Sequence, residues 1–373
     1  MNLHKKHTVS YLCLQTTCEG QASHAHVHEI LRGLRARGWD AKLYEPNHQD
    51  CSGRVHLLRR LFDFIIVQCR FCLSGKRTQV LYVRSHVALL PSILMARLLG
   101  LPVVQEVNGP LEDVFLAYGW TKRFKPVLTF LWRLSHSQAH ALIAVTPQLA
   151  DMLRTVFPKM NIYVVPNGAN PQIFHPMALL KYPLEKPYVV FVGALARWQG
   201  IETLLNATSS SSWPRGVRLV VVGDGAERSK VEKFAIRNAS VIRFLGRIPY
   251  ADVAGVLSNC VAAISPQNNL LGRSNTGLYP LKVFEAMACG VPVVVTDFPG
   301  QADLVRSHDC GMVVPASNPE ELARAVRTLS NSTEICRTMG ENGRRAIEMG
   351  HSWDHRADAT SKILVGLLEC AKV

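Results

Sequence analysis

The sequence predicts an α/β protein built from two doubly wound parallel-sheet domains. Strand-like runs alternate with helical stretches along all 373 residues, and strand–helix–strand units at this spacing form parallel sheets with right-handed crossovers. The alternation stops once, in the proline-rich stretch 167–187, and then restarts. The chain is also longer than one hydrophobic core usually organises, which favours two domains.

The predicted strands are short runs rich in β-branched residues, with helical stretches such as 23–37 and 87–99 between them. In the first half they lie at 8–14, 41–45, 79–84, 102–107, 141–145 and 162–166. In the second half they lie at 188–193, 217–223, 240–246, 261–265, 291–296 and 311–315. We expect two Rossmann-like domains, 1–175 and 176–350, facing each other across a cleft, and a final helix in 351–373. Ligands of open α/β sheets bind at the carboxyl ends of the strands, which places the expected site in that cleft.

The composition limits what the protein can be. Its 48% hydrophobic and 19% charged residues are typical of a globular protein, and no apolar run is long enough to span a bilayer. The ten cysteines are irregularly spaced, which indicates reduced thiols and a cytoplasmic location. The formal net charge of +14 requires an anionic partner. Nucleic acid is not expected, because no basic run carries interleaved stacking aromatic residues.

Two segments, 53–77 and 121–136, mix arginine and lysine with large apolar residues. This pattern is typical of an amphipathic helix that lies on an anionic membrane surface. It is equally typical of a helix with one core face and arginine stems spread over the other. The sequence leaves both interpretations open.

The most informative stretch is "LYPLKVFEAMACGVPVVVTD" at 278–297. Pro280 suits a first helical turn, so the free amide groups of that turn, Leu281 included, and the charge of Lys282 are expected to face a diphosphate. Glu285 lies one turn further on and can accept hydrogen bonds from the paired hydroxyls of a ribose. The plain alternative is a surface pair of Lys282 and Glu285 at i, i+3.

Two further strand–turn–helix segments supply candidate donor-binding groups. In "FVGALARWQGIETLLNA", 191–207, the turn after the strand contains Gly193, Arg197 and Gln199 and can hold a phosphate group. In "VVVGDGAERSKVEKFA", 220–235, Gly223 begins a tight turn, but Arg228 replaces the third glycine of a dinucleotide fingerprint, which argues against NAD.

Taken in this order, the segments resemble the glycosyltransferases of family 4, retaining enzymes of the GT-B fold that use nucleotide-sugar donors. "VVPNGANPQIFHP", "FVGALARWQG", "VVVGDGAER" and "FEAMACGVPVV" are similar to four successive motifs of that family, and "HSWDHRADATSKILVGLL" is similar to its last helix, which crosses back to the N-terminal domain. The resemblance covers nearly the whole chain. It implies that 1–175 binds the acceptor and 176–350 the nucleotide sugar.

The chain departs from the family where charged groups are expected. The second glutamate of the E-x7-E motif is matched by Glu285, but the first falls on Gly277. The usual diphosphate-binding arginine and lysine fall on Ala194 and Gln199. The sequence resembles a subgroup that lacks the same residues, so Lys282 and Arg197 are expected to compensate in a variant site.

On the acceptor side, "QASHAHVHE" and "VVQEVNGPLED" resemble segments of that subgroup. The resemblance implies that His26, Glu29, Glu106, Asn108 and Gly109 line this side. Many family members place a histidine here, but this chain has none between His86 and His136. No metal is expected, because His24, His26 and His28 lack the spacing of a metal motif.

The resemblance therefore implies a retaining glycosyltransferase that uses a UDP- or GDP-linked sugar and no cofactor, with Lys282, Arg197 and Asn108 as catalytic residues. The expected acceptor is a saccharide or lipid-linked saccharide of the cell envelope, at the cytoplasmic face of a membrane. Two alternatives remain: a nucleotide-sugar epimerase of the same fold, and a catalytically silent protein that binds sugars or a membrane surface.

Overall fold

The computed structural model describes residues 7–46, 57–74, 78–270 and 272–370. It divides the chain into a first unit, Met1–Cys18, Ser23–Pro166 and Asp354–Val373, and a second unit, Glu19–Ala22 and Asn167–Trp353. The division falls after Pro166 rather than after residue 175, because Phe174 is fully buried in the core of the second unit. Ala169 also joins that unit, through a parallel bridge to Ser352.

The sheet of the first unit has six parallel strands in the order β2-β1-β3-β4-β5-β6. Its elements are β1 Thr8–Leu12, α1 Ala22–Ala36, β2 Asp40–Tyr44, α2 Leu57–Ser74, β3 Val80–Arg84, α3 Leu90–Leu98, β4 Val103–Val107, α4 Glu112–Ala117, α5 Lys125–Ser137, β5 Ala141–Ala144, α6 Pro147–Val156 and β6 Asn161–Val164. The switch point of this sheet lies between β1 and β3. Strand β2 lies on one side of β1, and β3 to β6 follow on the other side. The carboxyl ends of β1, β3 and β4 are therefore where a ligand is expected.

The second unit repeats this architecture, with six parallel strands in the order β12-β11-β10-β7-β8-β9. Its elements are β7 Tyr188–Val192, α7 Ile201–Ala207, β8 Arg218–Val222, α8 Arg228–Arg237, β9 Ile242–Gly246, α9 Tyr250–Ser258, β10 Ala263–Ser265, α10 Leu281–Ala288, β11 Val293–Thr296, α11 Gln301–His308, β12 Gly311–Val314, α12 Pro319–Ser330 and α13 Thr333–Ala346. This is the strand order of dinucleotide-binding folds, with its switch point between β7 and β10.

The predicted architecture of two doubly wound parallel sheets is confirmed. Each predicted strand coincides with an observed strand to within two residues at either end. The central strands of both sheets are almost completely buried, as expected where helices cover both faces of a parallel sheet, whereas the edge strands β2, β6, β9 and β12 are partly exposed.

A final helix, α14 Trp353–Cys370, belongs from Asp354 onward to the first unit. It packs on α1 so closely that a Cβ atom at Gly33 would lie 2.3 Å from the Cβ of Ala357. The indole Nε1 of Trp39 donates a hydrogen bond of 2.8 Å to Ser361 Oγ. The glycine at position 33 is therefore what allows the two helices to touch.

Among the described residues, one cysteine departs from the expectation. Cys18 is disulfide-bonded, so the prediction of reduced thiols throughout is wrong there. The spacing of cysteines along a sequence does not show which of them the fold brings together. As for membrane insertion, none of the helices in the described part of the chain has the length and hydropathy required to cross a bilayer.

Candidate active site

In the second unit, the candidate site forms around the start of α10. Pro280 has φ −65° and ψ 133° and is the residue that precedes the helix, so the first helical residue is Leu281. The carbonyl oxygen of Tyr279 accepts a hydrogen bond of 2.7 Å from Asn167 Nδ2, which holds the incoming chain. The first amide groups of a helix have no acceptor within it and carry a partial positive charge. This end of α10 can therefore bind an anion.

Lys282, the second residue of α10, adds a full charge at this point. Its Nζ donates a hydrogen bond of 2.7 Å to Gln199 Oε1 and lies 3.8 Å from the centroid of the Phe191 ring. Phe191 belongs to β7 and Gln199 to the turn that follows it, so the ammonium lies at the carboxyl end of β7, beside the switch point. Burial lowers the pKa of Lys282 to about 7, and the nearby carboxylate of Glu285 opposes that shift.

The turns after β7 and β8 are shaped by close contacts. A Cβ atom at Gly193 would lie 2.9 Å from Lys282 Nζ, so glycine leaves room for the ammonium. A Cβ atom at Gly223 would lie 1.9 Å from the carbonyl oxygen of Gly193, so only glycine fits there. Both glycines are predicted donor-binding residues: Gly193 lies against Lys282, and Gly223 packs against Gly193.

Glu285 is buried, with 5% of its surface exposed, one turn after Lys282. Its Oε1 accepts a hydrogen bond of 2.9 Å from the hydroxyl of Tyr250, the first residue of α9. Burial raises the pKa of Glu285 to about 7, against the opposing effects of Tyr250 and Lys282. Sequence reasoning missed Tyr250, and no motif in the sequence marks it.

The remaining predicted donor residues separate into two groups. Gln199 contacts Lys282 directly, whereas Arg197 is exposed in the short 3-10 turn Arg197–Gln199. Leu281 is buried, with 8% of its surface exposed, so it can offer a ligand its backbone amide but little of its side chain. The structure thus brings Lys282, Gln199 and Gly193 together and leaves Arg197 at the surface.

In the first unit, a buried carboxylate organises the carboxyl edge of the sheet. Glu106, on β4, is 1% exposed and accepts hydrogen bonds from Tyr82 Oη at 2.7 Å, Arg84 Nη1 at 2.9 Å and Asn108 Nδ2 at 2.7 Å. His26 Nε2 lies 2.8 Å from its second oxygen. Together, His26, Arg84 and Asn108 outweigh the effect of burial and hold the pKa of Glu106 well below its usual range.

Asn108 is the exposed member of this group, and Glu106 fixes the direction of its amide. Glu106 therefore lies beneath the predicted acceptor surface and supports it. Glu29 is also buried, and its Oε2 accepts a bond of 2.8 Å from Arg32 Nε. Gly109, which follows Asn108, is half-buried, and a Cβ atom there would lie 2.7 Å from Asp113 Oδ2.

Sequence reasoning also missed a serine–histidine pair at this edge. The buried His136 has Nδ1 2.7 Å from the carbonyl oxygen of Trp132, which fixes the proton on that nitrogen, and its Nε2 lies 3.0 Å from Ser85 Oγ. Burial lowers the pKa of His136 to about 4, so near neutral pH its Nε2 accepts the hydroxyl proton of Ser85 in a hydrogen bond. Ser85, which follows β3, can then only accept a hydrogen bond from a ligand.

Known proteins resemble both halves of the chain. Residues 23–173 match the family described as Glycosyltransferase Family 4, and residues 179–346 match the one described as Glycosyl transferases group 1. An uncharacterized glycosyltransferase of Methanocaldococcus jannaschii is 25% identical over 226 residues, 60% of this chain and 59% of that protein. Matches to three curated relatives span 59%, 66% and 45% of those proteins' lengths, so the chain covers less than two thirds of each.

Solved structures show the same fold. A sucrose-phosphate synthase from Thermosynechococcus elongatus superposes with a TM-score of 0.78 at 20% identity, over 98% of this chain and 100% of that one. HepE from Anabaena, in complex with UDP-glucose, superposes with a TM-score of 0.71 at 15% identity, over 96% of this chain and 99% of that one. The chain has the GT-B fold and belongs to glycosyltransferase family 4.

Proposed function

We propose that the protein is a retaining glycosyltransferase that moves a sugar from a nucleoside diphosphate sugar to an acceptor hydroxyl. The observation that carries this proposal is the start of α10, where Lys282 presents an ammonium group and Glu285 a buried carboxylate one turn later. A diphosphate and the paired hydroxyls of a ribose have the complementary charge and the complementary hydrogen bonds.

In the proposed reaction, the bond between the anomeric carbon and the diphosphate oxygen breaks. A bond forms from that carbon to the acceptor oxygen on the same face of the sugar. The acceptor proton passes to the leaving diphosphate, so no protein nucleophile takes part. Negative charge grows on the diphosphate, and Lys282, the first amides of α10 and the exposed Arg197 stabilise it without a metal ion.

On the acceptor side, we assign binding roles to Asn108 and Ser85, which follow the adjacent strands β4 and β3. Ser85 donates its hydroxyl hydrogen bond to His136, so the Ser85 oxygen is free to accept a hydrogen bond from a hydroxyl of the acceptor. Because the pKa of His136 is lowered to about 4, this histidine orients the serine and does not act as a base near neutral pH.

The donor is proposed to be UDP- or GDP-linked. In support, HepE, which shares the fold, was solved with UDP-glucose bound. We expect UDP- or GDP-sugars to raise the melting temperature of the protein and to release the nucleoside diphosphate when a saccharide acceptor is added. An epimerised donor without any acceptor would instead indicate the epimerase, and no stabilisation by any donor would indicate a silent binding protein.

We further propose that the first unit docks on an anionic membrane and takes a lipid-linked saccharide as acceptor. The predicted segment 53–77 lies within the described residues only over α2, where Val67 and Phe71 face the core. The opposite side of α2 exposes an apolar stripe at helical spacing: Leu58, Leu61, Phe62, Ile65, Ile66 and Leu73. A second exposed set follows α4: Tyr118, Trp120, Phe124, Val127 and Phe130.

We call these two sets together the apolar–basic face. Arg60 of α2 joins them, because its Nη1 donates a hydrogen bond of 3.0 Å to the hydroxyl of Tyr118. Exposed cations are interleaved with the apolar residues: Arg59, Lys122, Arg123, Lys125 and Arg133. Large apolar side chains with cations between them suit a bilayer surface that carries negative charge.

We expect sedimentation with phosphatidylcholine–phosphatidylglycerol vesicles and little binding to phosphatidylcholine alone. Each cation near an anionic surface contributes on the order of 1 kcal/mol, so the double variant Lys122→Glu with Arg123→Glu should lose more than about tenfold in vesicle affinity. Lys159→Glu, exposed in the same unit but outside the apolar–basic face, is the control. Equal binding to both vesicle types would contradict the proposal.

A further inference from the structure

The ammonium group of Lys282 is held by a neutral side chain, the amide of Gln199. Its Oε1 accepts the hydrogen bond of 2.7 Å from the ammonium, while the ring of Phe191 forms a second wall. A carboxylate in place of the amide would form an ion pair with the ammonium, and that pair would have no net charge. A second cation would repel the ammonium. An amide is neutral, so it holds the ammonium and leaves its charge available.

The backbone that carries Gln199 is fixed on several sides. Its amide nitrogen donates a hydrogen bond of 2.9 Å to the carbonyl oxygen of Ala196, and Asn268 N donates one of 2.9 Å to the carbonyl oxygen of Trp198. The next residue, Gly200, has φ 71° and lies against the carbonyl group of Pro266. The side-chain amide of Gln199 therefore extends from a rigid turn toward the ammonium.

Building on the proposed function, we propose that Gln199 is a positioning residue for diphosphate binding. Its carbonyl oxygen holds the ammonium of Lys282 over Phe191, and its side-chain NH2 group donates a hydrogen bond to a phosphate oxygen. One neutral side chain then does two things: it orients the cation and adds a donor. The diphosphate then meets an ammonium group that no carboxylate of the turn neutralises.

Two variants of nearly the same size test this role. Gln199→Glu keeps an oxygen acceptor for Lys282. Its carboxylate forms an ion pair with the ammonium, so the pair has no net charge, and it places a negative charge near the phosphates. Gln199→Met removes the acceptor and the NH2 donor but places no negative charge beside the ammonium. We expect the Kd for UDP and for GDP, measured by calorimetry, to rise about a hundredfold in Gln199→Glu and about tenfold in Gln199→Met, since charged hydrogen bonds contribute more than neutral ones.

Thermal unfolding separates positioning from a merely structural role. Gln199→Glu should melt no lower than the wild-type protein, because the contact with Lys282 becomes an ion pair. If Gln199 had only a structural role, the order of the Kd values would be reversed. Gln199→Glu would then bind nucleotides nearly as the wild type does, and Gln199→Met would bind them more weakly. Gln172→Glu adds the same charge at an exposed glutamine of the second unit and should bind nucleotides as the wild type does.

The outcomes distinguish this inference from the proposed function. If the wild-type protein binds neither UDP nor GDP, both are overturned. If the wild-type protein binds a nucleotide and Gln199→Glu binds it equally well, the positioning role is overturned and the proposed function stands. A rise in Kd confined to Gln199→Met would also overturn it, because the charge of the ammonium would then be irrelevant.

Discussion

Replacing Lys282 by methionine is expected to lower kcat/KM for transfer from a UDP- or GDP-sugar by about a hundredfold or more. Loss of one group that stabilises charge in the transition state typically costs about 10²–10³ in rate. The effect should be large here because Lys282 is the cation held by Gln199 at the start of α10, whereas Arg197 is exposed. Methionine fills nearly the same volume, so the fold should remain intact.

Lys181→Met is the matched control for this variant. Lys181 belongs to the same unit, but its Nζ pairs with Asp252 Oδ1 at 2.6 Å and its side chain is largely exposed. We expect its kcat/KM to remain within about twofold of wild type, because an exposed ion pair contributes little. A Lys282→Met enzyme with wild-type kinetics, or one altered only in vesicle binding, would contradict the diphosphate role.

Replacing Glu285 by glutamine is expected to weaken donor binding and to stabilise the fold above pH 7. A carboxylate that accepts hydroxyl hydrogen bonds contributes about 1.5 to 3 kcal/mol, so the Kd for the donor should rise about ten- to a hundredfold. The free energy of unfolding should increase in this variant. Burial disfavours the charged form of the Glu285 carboxylate, and glutamine carries no charge.

The sign follows from the pKa of Glu285, which burial raises from 4.5 to about 7. Between these values the folded protein binds more protons than the unfolded chain, so this residue makes stability fall as pH rises through that window. A shift of this size corresponds to about 3 kcal/mol, an order-of-magnitude figure. The glutamine variant should therefore unfold at a higher temperature than wild type at pH 8 and at the same temperature below pH 4.5.

Glu341→Gln controls for the loss of one carboxylate. Glu341 is exposed on α13 and pairs with Arg337 one turn away, so its replacement should give no gain that depends on this pH window. A Glu285→Gln protein that melts lower than wild type at pH 8 would show that the carboxylate has a net stabilising partner. Unchanged donor affinity would remove Glu285 from the ribose site.

The sequence was sufficient to predict the two sheets, because β-branched runs and helical stretches alternate with the regularity of βαβ units. It did not determine the domain boundary, which depends on Phe174 entering the core of the second unit. It also did not show which face of α2 is buried. Val67 and Phe71 are buried, whereas Leu58 and Phe62 are exposed. All four residues are apolar, so the sequence pattern does not distinguish the buried face of the helix from the exposed one.

The candidate site was predicted in part. The stretch around Pro280 correctly indicated where α10 begins, to within one residue. Its contacts could not be read from spacing, since Gln199 lies 83 positions before Lys282 and meets it only because the turn after β7 approaches α10. The same holds for Tyr250 and Glu285, 35 positions apart. Such pairs arise from strand order, which a local motif does not encode.

The most direct test of this account is a crystal structure of the protein with UDP-glucose or a GDP-sugar bound. We expect the diphosphate to lie within hydrogen-bond distance of Lys282 Nζ and of the first amide groups of α10, with the ribose hydroxyls at the carboxylate of Glu285. A nucleotide bound elsewhere, or a diphosphate that makes no contact with Lys282 or the start of α10, would contradict the central claim.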